Sequence, residues 1–254
     1  MYSNNDSEPL FVFTNQATFG ELAVAIFFII SGFLIAQSYE RSSSLASYLK
    51  SRILRLFPGL FVCLFVIAFV LGPIITTLSL GDYFSNSQVY SYFVGFFLLP
   101  NLSPSLPGVF ENHPFGNFVN GSLWTLKFEF LFYLAIAFIG TFKMLNKRFV
   151  TFFMISFLLL SLLDINSHFN NLFTLGSYFL GGTMFYLFRN QIKLKGSLAF
   201  LSLCIILVTS QVGFFELAFA IFGSYLIIYT GYQQKVVFPN FSKNGDLSYG
   251  IYIY

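Results

Sequence analysis

Apolar residues along this chain come in unbroken blocks of about twenty, a length that predicts helices crossing a bilayer rather than half-buried strands or surface helices. The first block covers residues 20–39 (GELAVAIFFIISGFLIAQSY) and the second covers residues 57–78. Residues 89–100 form a block of only twelve, which as a helix reaches about 18 Å and falls short of a bilayer core of about 30 Å. That block reads as re-entrant or interfacial. A Pro/Asn/Gly-rich loop follows over residues 101–120, then five further blocks at 121–142, 149–163, 172–188, 197–215 and 217–232. A last block opens at Leu247 and meets the end of the chain at Tyr254. The pattern predicts an all-α, polytopic transmembrane helix bundle forming a single domain over residues 1–254. It has about seven complete spans, the start of an eighth, and one short re-entrant or interfacial segment.

The basic residues constrain that layout. Arg41, Lys50, Arg52 and Arg55 fall between the first and second blocks, and Lys143, Lys147 and Arg148 follow the third full one. Arg189, Lys193 and Lys195 follow the fifth, and Lys235 and Lys243 the seventh, so that of 13 basic residues only Lys127 is not on these alternate loops. Cytoplasmic loops collect Lys and Arg. The opposite loops carry Asp82, Glu111, Asp164 and Glu216 and no base. A crossing by residues 89–100 would break the alternation at Lys143. The same layout puts residues 1–19 on the far side of the membrane with no span before them. The expectation is therefore a chain lacking one span at the front and at least part of one at the back. No basic stretch precedes an apolar one at the N-terminus, as a secretory signal requires.

Composition removes the remaining classes. Charged residues make up 9% of the chain, hydrophobic ones 56% and aromatic ones 21%, with a mean hydropathy of +0.75. A water-soluble domain carries roughly 25% charged residues. Thirty-eight Phe and 15 Tyr exclude a disordered chain. The net charge of +3 is too small to point to nucleic acid. Cys63 and Cys204 lie inside apolar blocks and read as small hydrophobes. No Cys/His group has metal-ligand spacing, so neither a metal nor a bound cofactor is expected.

Few residues are left for chemistry. Glu129, in NGSLWTLKFEFLFYL, sits eight residues into its block, roughly 12 Å below the interface. An ionisable group at that depth costs a few kcal/mol and usually faces a cavity or a partner. A structural carboxylate bonded to a neighbouring helix is the competing reading. Lys127, two residues away, points to a different face. Arg52 and Arg55, in SYLKSRILRLFPG, are three apart and share a face, with Pro58 expected to open the next span. Guanidinium forks match phosphate oxygens, and plain anchoring on the cytoplasmic side is the alternative. Ser31-Gly32 is a small-residue notch that reads as helix packing. Trp124, the single tryptophan, reads as an interfacial aromatic. His113 and His168 fall in predicted loops.

In order, VAIFFIISGFLI, the basic stretch ending RILRLFP, GSLWTLKFEFLFYL and DLSYGIYIY resemble the acyltransferase 3 family, bacterial inner-membrane proteins that O-acylate carbohydrates. The resemblance runs from about Ala17 to the end of the chain. LPGVFENHPFGNFVNGSLWTL is similar to the branch that acetylates surface polysaccharides. The resemblance implies a multi-pass protein of the bacterial inner membrane, in contact with membrane lipid, built on a bundle of about ten helices. Its acyl group is usually acetyl, with acetyl-CoA as the donor substrate. The implied acceptor is a polysaccharide or lipid-linked glycan such as O-antigen or exopolysaccharide. Arg52 and Arg55 match the family's basic cluster and would hold the donor's phosphates. Glu129 matches the acid of its SLW…E segment and would be catalytic, with Trp124, Ser122 and Asn120 lining the acceptor or transfer cavity. Ser31 and Gly32 match its SGF motif, in a packing role. The family's Arg-x10-His motif lies on a helix preceding the segment where this chain begins, and this chain carries no such motif. An inactive fragment, a non-catalytic membrane subunit and a lipid-linked sugar transporter stand as alternatives to the enzyme.

Overall fold

Helices account for every regular element of the computed structural model, which describes residues 8–98, 105–111, 113, 116–163 and 166–233. In chain order they are α1 (Pro9–Thr14), α2 (Phe19–Arg41), α3 (Leu45–Val66), α4 (Gly72–Ile75), α5 (Leu80–Ser85) and α6 (Ser87–Leu98). Then come α7 (Leu126–Thr141), α8 (Lys147–Ser161), α9 (Ser167–Leu187), α10 (Gly196–Val212), α11 (Phe215–Ala218) and α12 (Ser224–Gly231). A π-helical turn (Ile67–Leu71) makes α3 and α4 one continuous helix, and a second (Phe219–Gly223) does the same for α11 and α12. A 3-10 turn (Gly121–Thr125) leads into α7.

Among the described residues, three stretches are long and apolar enough to cross a bilayer: Phe19–Arg41, Leu45–Ile75 and Gly121–Thr141. Gly196–Val212 and Phe215–Gly231 are apolar but shorter. The block expected at 149–163 forms the 15-residue α8. The one expected at 172–188 starts five residues earlier, because Asn166 caps α9 by accepting the Phe169 N–H at 3.0 Å. His168, expected in a loop, therefore lies in the first turn of α9. The twelve residues of α6 match the short segment expected there, with a reach of about 18 Å. The expected last block at 247–254, with Lys235 and Lys243, lies outside the described residues.

One expectation fails outright. Pro58 does not open the second long helix but sits inside it, and the helix reaches back to Leu45. Ser44 sets the true start, its Oγ accepting the Ser47 N–H at 3.1 Å. Proline is tolerated inside apolar helices where neighbouring groups satisfy the backbone it frees. Arg52 and Arg55 are consequently helical residues of the same element as the apolar span.

The described residues divide between two compact units, one within Leu49–Phe130 and the other within Asn4–Tyr48 and Leu131–Val237. In the first, α3 buries a helical stripe of Leu56, Leu60, Cys63, Leu64, Ile67 and Ala68. The π turn has a specific consequence here. The Gly72 N–H goes to the Ile67 carbonyl, and Pro73 has no N–H to offer, so the Ala68 carbonyl loses both helical donors. The Tyr83 hydroxyl replaces them, donating to Ala68 O at 2.8 Å. Gly72 admits it, since a Cβ there would strike the Tyr83 hydroxyl. Burial pushes that phenol up to about 12, so it remains a protonated donor at physiological pH. Tyr83→Phe should therefore lower stability by about 1–3 kcal/mol, the cost of an orphaned buried carbonyl. A thermal melt of the detergent-solubilised chain checks this, and an unchanged midpoint would contradict it.

The second unit is organised around α9. Gly182 approaches α2 so closely that a Cβ would strike the Ile29 carbonyl, and a Cβ on Gly32 would strike the Phe179 carbonyl. The adjacent Gly181 serves another neighbour, where a Cβ would meet Ser224 Oγ and the Ala220 carbonyl. On the remaining side α8 packs through Phe157, whose ring lies 5.4 Å from Phe173 and fills the space over Gly176. Residues 8–18 are tied in rather than trailing. Glu8 accepts the N–H groups of Phe11 (2.7 Å) and Phe19 (3.0 Å). Gln16 accepts the Phe215 N–H at 2.9 Å and donates to the Thr209 and Ser210 carbonyls, closing the break between α10 and α11 at Gly213.

Candidate functional site

All of the residues with chemical potential on α3 and α7 fall within the first unit. Arg52 and Arg55 are partly buried. At about 100° per residue, Arg52 and Cys63 lie about 20° apart around α3, so the arginine belongs to the same face as the buried stripe. That face meets the 3-10 turn and α7. The Asn120 amide donates to Cys63 Sγ at 3.8 Å, and the Phe57 and Phe130 rings meet edge-on at 5.5 Å. The later residue of α3 thus faces the earlier residue of the α7 segment, so the two run in opposite directions.

This register brings together segments that the sequence layout kept apart. Phe130 adjoins Glu129, and Phe57 is two residues from Arg55. The turn of α7 carrying the acid therefore lies beside the turn of α3 carrying the arginines. The sequence layout put Arg52 and Arg55 at the cytoplasmic edge and Glu129 roughly 12 Å below the opposite interface. The backward extension of α3 to Leu45 removes that separation. Glu129 is 2% exposed, which demands compensation for a carboxylate.

One end of the site is built by capping. Asn120 is the N-cap of the 3-10 turn, and its Oδ1 accepts from the Ser122 N–H at 3.1 Å and from Ser122 Oγ at 2.7 Å. Its amide nitrogen is spent on Cys63, so the side chain is held at both ends. Trp124, 37% exposed, stands edge-on to Phe128 at 6.0 Å. Lys127 lies 5.0 Å from the Phe128 ring centroid. Ser31 and Gly32 are elsewhere, in the second unit, where Thr183 Oγ1 donates to the Gly32 carbonyl at 3.2 Å.

Two features had no reading from sequence. Cys63, dismissed as a small hydrophobe, is the hydrogen-bond partner of Asn120, and 57 residues of separation hide that pairing. In the second unit Tyr186 donates to Glu40, and Arg189 Nη2 lies 3.1 Å from both Glu40 oxygens while its guanidinium covers the Tyr186 ring at 4.1 Å. Only the Gly181-Gly182 pair inside an apolar run signalled the helix approach that makes this possible. Chemically, the first unit offers a guanidinium pair suited to phosphate, a buried carboxylate able to take up a proton, and fixed hydroxyl and amide groups.

Comparison with known proteins bears on which chemistry this is. The model of the acyltransferase 3 family, described as an acyltransferase domain, matches residues 1–254. An O-acetyl transferase of Shigella phage Sf6 is 37% identical over 115 residues, covering 45% of this chain and 33% of that protein. Nodulation protein 10 of Rhizobium leguminosarum bv. viciae is 37% identical over 126 residues, 46% of this chain and 32% of that protein. The match thus covers about a third of the length of each of these relatives. No solved structure matches the chain.

Proposed function

Because the chain belongs to the acyltransferase 3 family, we propose that it is an O-acyltransferase moving an acetyl group from acetyl-CoA to a sugar hydroxyl of a surface polysaccharide or lipid-linked glycan. It acts as a multi-pass protein of the bacterial inner membrane. The name of the phage relative, an O-acetyl transferase, supports acetyl as the group transferred. The observation that carries the reading is the Phe57–Phe130 contact, which sets the turn bearing buried Glu129 beside the turn bearing Arg52 and Arg55.

In this reading Arg52 and Arg55 hold the phosphates of the donor, and Asn120, Ser122 and Trp124 line the acceptor end. Glu129 takes the proton of the sugar hydroxyl as its oxygen attacks the thioester carbonyl carbon. A C–O bond forms, the C–S bond breaks, and the proton passes to the departing thiolate. Nucleic acid has no part in this chemistry.

Arg52→Ala with Arg55→Ala should raise KM for acetyl-CoA about tenfold or more, since each lost charge-assisted bond is worth about 1.5–3 kcal/mol. Transfer assays on membranes carrying equal amounts of each protein check this. Donor KM and turnover both unchanged would reduce the pair to a topology anchor.

A further inference from the structure

One flank of the second unit is short for a membrane. Between Arg148 and Asp164 the sequence holds fifteen uncharged residues, 149–163, all apolar except Thr151, Ser156 and Ser161. They form most of α8 and the turn that follows it, and their reach is about 22 Å against a bilayer core of about 30 Å. α8 runs antiparallel to α9, since Thr151 near its start meets Met184 near the end of α9 at 4.0 Å, and Phe157 meets Phe173 at 5.4 Å. Lys147 and Arg148 open α8 and Arg189 follows the end of α9, which places this end on the cytoplasmic side. The neighbouring helices are little longer. The first five residues of α9 include Ser167, His168, Asn170 and Asn171, which leaves sixteen of its 21 for the mainly apolar stretch 172–187. α10 has 17 residues, and Phe215–Gly231 is no longer.

The side chains of α8 indicate what surrounds it. Phe152, Ile155, Leu159, Leu162 and Leu163 form a stripe at helical spacing, each more than half exposed. The three hydroxyl side chains all turn back onto their own helix. Thr151 donates to the Lys147 carbonyl at 2.7 Å, Ser156 to the Phe152 carbonyl at 2.9 Å and Ser161 to the Leu158 carbonyl at 2.9 Å. Such bonds satisfy a hydroxyl where water does not reach it. A protein partner fits the stripe poorly, because helices in membranes meet through small residues, as α2 and α9 do at Gly32 and Gly182. The stripe has only bulky ones.

A span shorter than the bilayer core is accommodated by thinning of the bilayer, by snorkelling of flanking side chains or by association. Snorkelling does not close the difference here. The Lys147 ammonium lies 5.0 Å from the Phe188 ring centroid, held against the end of α9 rather than extended along the membrane normal. Arg148 is exposed and long enough to snorkel, but it serves one end only. At the other end the first charge is an aspartate, Asp164, a residue too short to reach outward. Tilting would shorten the reach of α8 further. Thinning is the accommodation that remains.

We propose that lipid acyl chains cover the exposed stripe of α8 and that the bilayer thins beside it to about 22 Å. The inference rests on membrane insertion and is independent of acyl transfer. The test uses the full chain in nanodiscs of phosphatidylcholine with 18-carbon monounsaturated chains, whose core is about 30 Å thick. Single spin labels are introduced by Arg148→Cys, Ile155→Cys and Leu163→Cys in a Cys204→Ala background, while Cys63, 1% exposed, stays in place. All three labelled positions are exposed, so the substitutions disturb no packing. Leu162→Cys, also exposed, replaces Leu163→Cys if that chain fails to accumulate. Labels at 148 and 163 should be relaxed more by an aqueous nickel chelate than by oxygen, and the label at 155 more by oxygen dissolved among the chains. Water at both ends of so short a segment, with hydrocarbon at its middle, requires a thinned bilayer. Oxygen dominance at 148 or 163 would show α8 lying short inside a bilayer of ordinary thickness and would overturn the proposal. Shielding of the label at 155 from both agents, as a second copy or another helix over the stripe would cause, would also overturn it, as would access of the nickel chelate to that label.

Discussion

Gly182→Leu leaves no folded protein in the membrane: this is the largest effect expected from any single substitution in the second unit. At Gly182 the obstacle to a side chain is backbone, the Ile29 carbonyl with the Phe33 N–H at 2.9 Å from the added Cβ. No rotamer change relieves a clash with main chain, so α2 and α9 must separate. Separation strips the Thr183 hydroxyl from the Gly32 carbonyl and opens the Glu40–Tyr186–Arg189 group at the far end. Overpacking of a core typically costs about 1–3 kcal/mol where side chains can adjust, and here they cannot. Gly32→Leu should fail in the same way, against the Phe179 carbonyl. Immunoblots of membrane fractions with size-exclusion profiles in detergent provide the check. Parent-level, monodisperse Gly182→Leu protein would refute the close approach.

Glu129→Gln should leave the fold intact and remove acyl transfer. The amide keeps the size of the carboxylate and lifts the burden of a charge at a position only 2% exposed. Accumulation and melting temperature should therefore match or exceed the parent. A positioned proton carrier contributes about 10²–10⁴-fold to a rate, so transfer should fall by that range at saturating acetyl-CoA with donor KM little altered. A variant that loses activity only because it no longer accumulates would show Glu129 to be structural. The readout is glycan acetylation in cells carrying the substitution at the gene's own locus.

How far the sequence could be read depended on the range of the forces involved. Block length and charge alternation are local properties, and they gave the helical class and most helix positions to within a few residues. They failed at Pro58, where proline read as a boundary while Ser44 supplied the cap that starts the helix. They failed again at α9, where Asn166 extends a helix through polar residues that hydropathy treated as loop. Glu129 and the Arg52–Arg55 pair stood out because charge in an apolar setting is visible one residue at a time. That their turns lie at one level was hidden, since it depends on the antiparallel register fixed by Phe57–Phe130 and Asn120–Cys63.

Acetyl transfer to a glycan can be followed through the fate of the acetyl carbon. Membranes from cells with and without the gene are incubated with acetyl-CoA labelled in the acetyl group and with the host's de-O-acetylated surface polysaccharide. Alkali-labile label is expected on the polysaccharide only when the gene is present, lost with Glu129→Gln and reduced at low donor concentration with Arg52→Ala and Arg55→Ala. Equal labelling with and without the gene, or full labelling by Glu129→Gln, would contradict it.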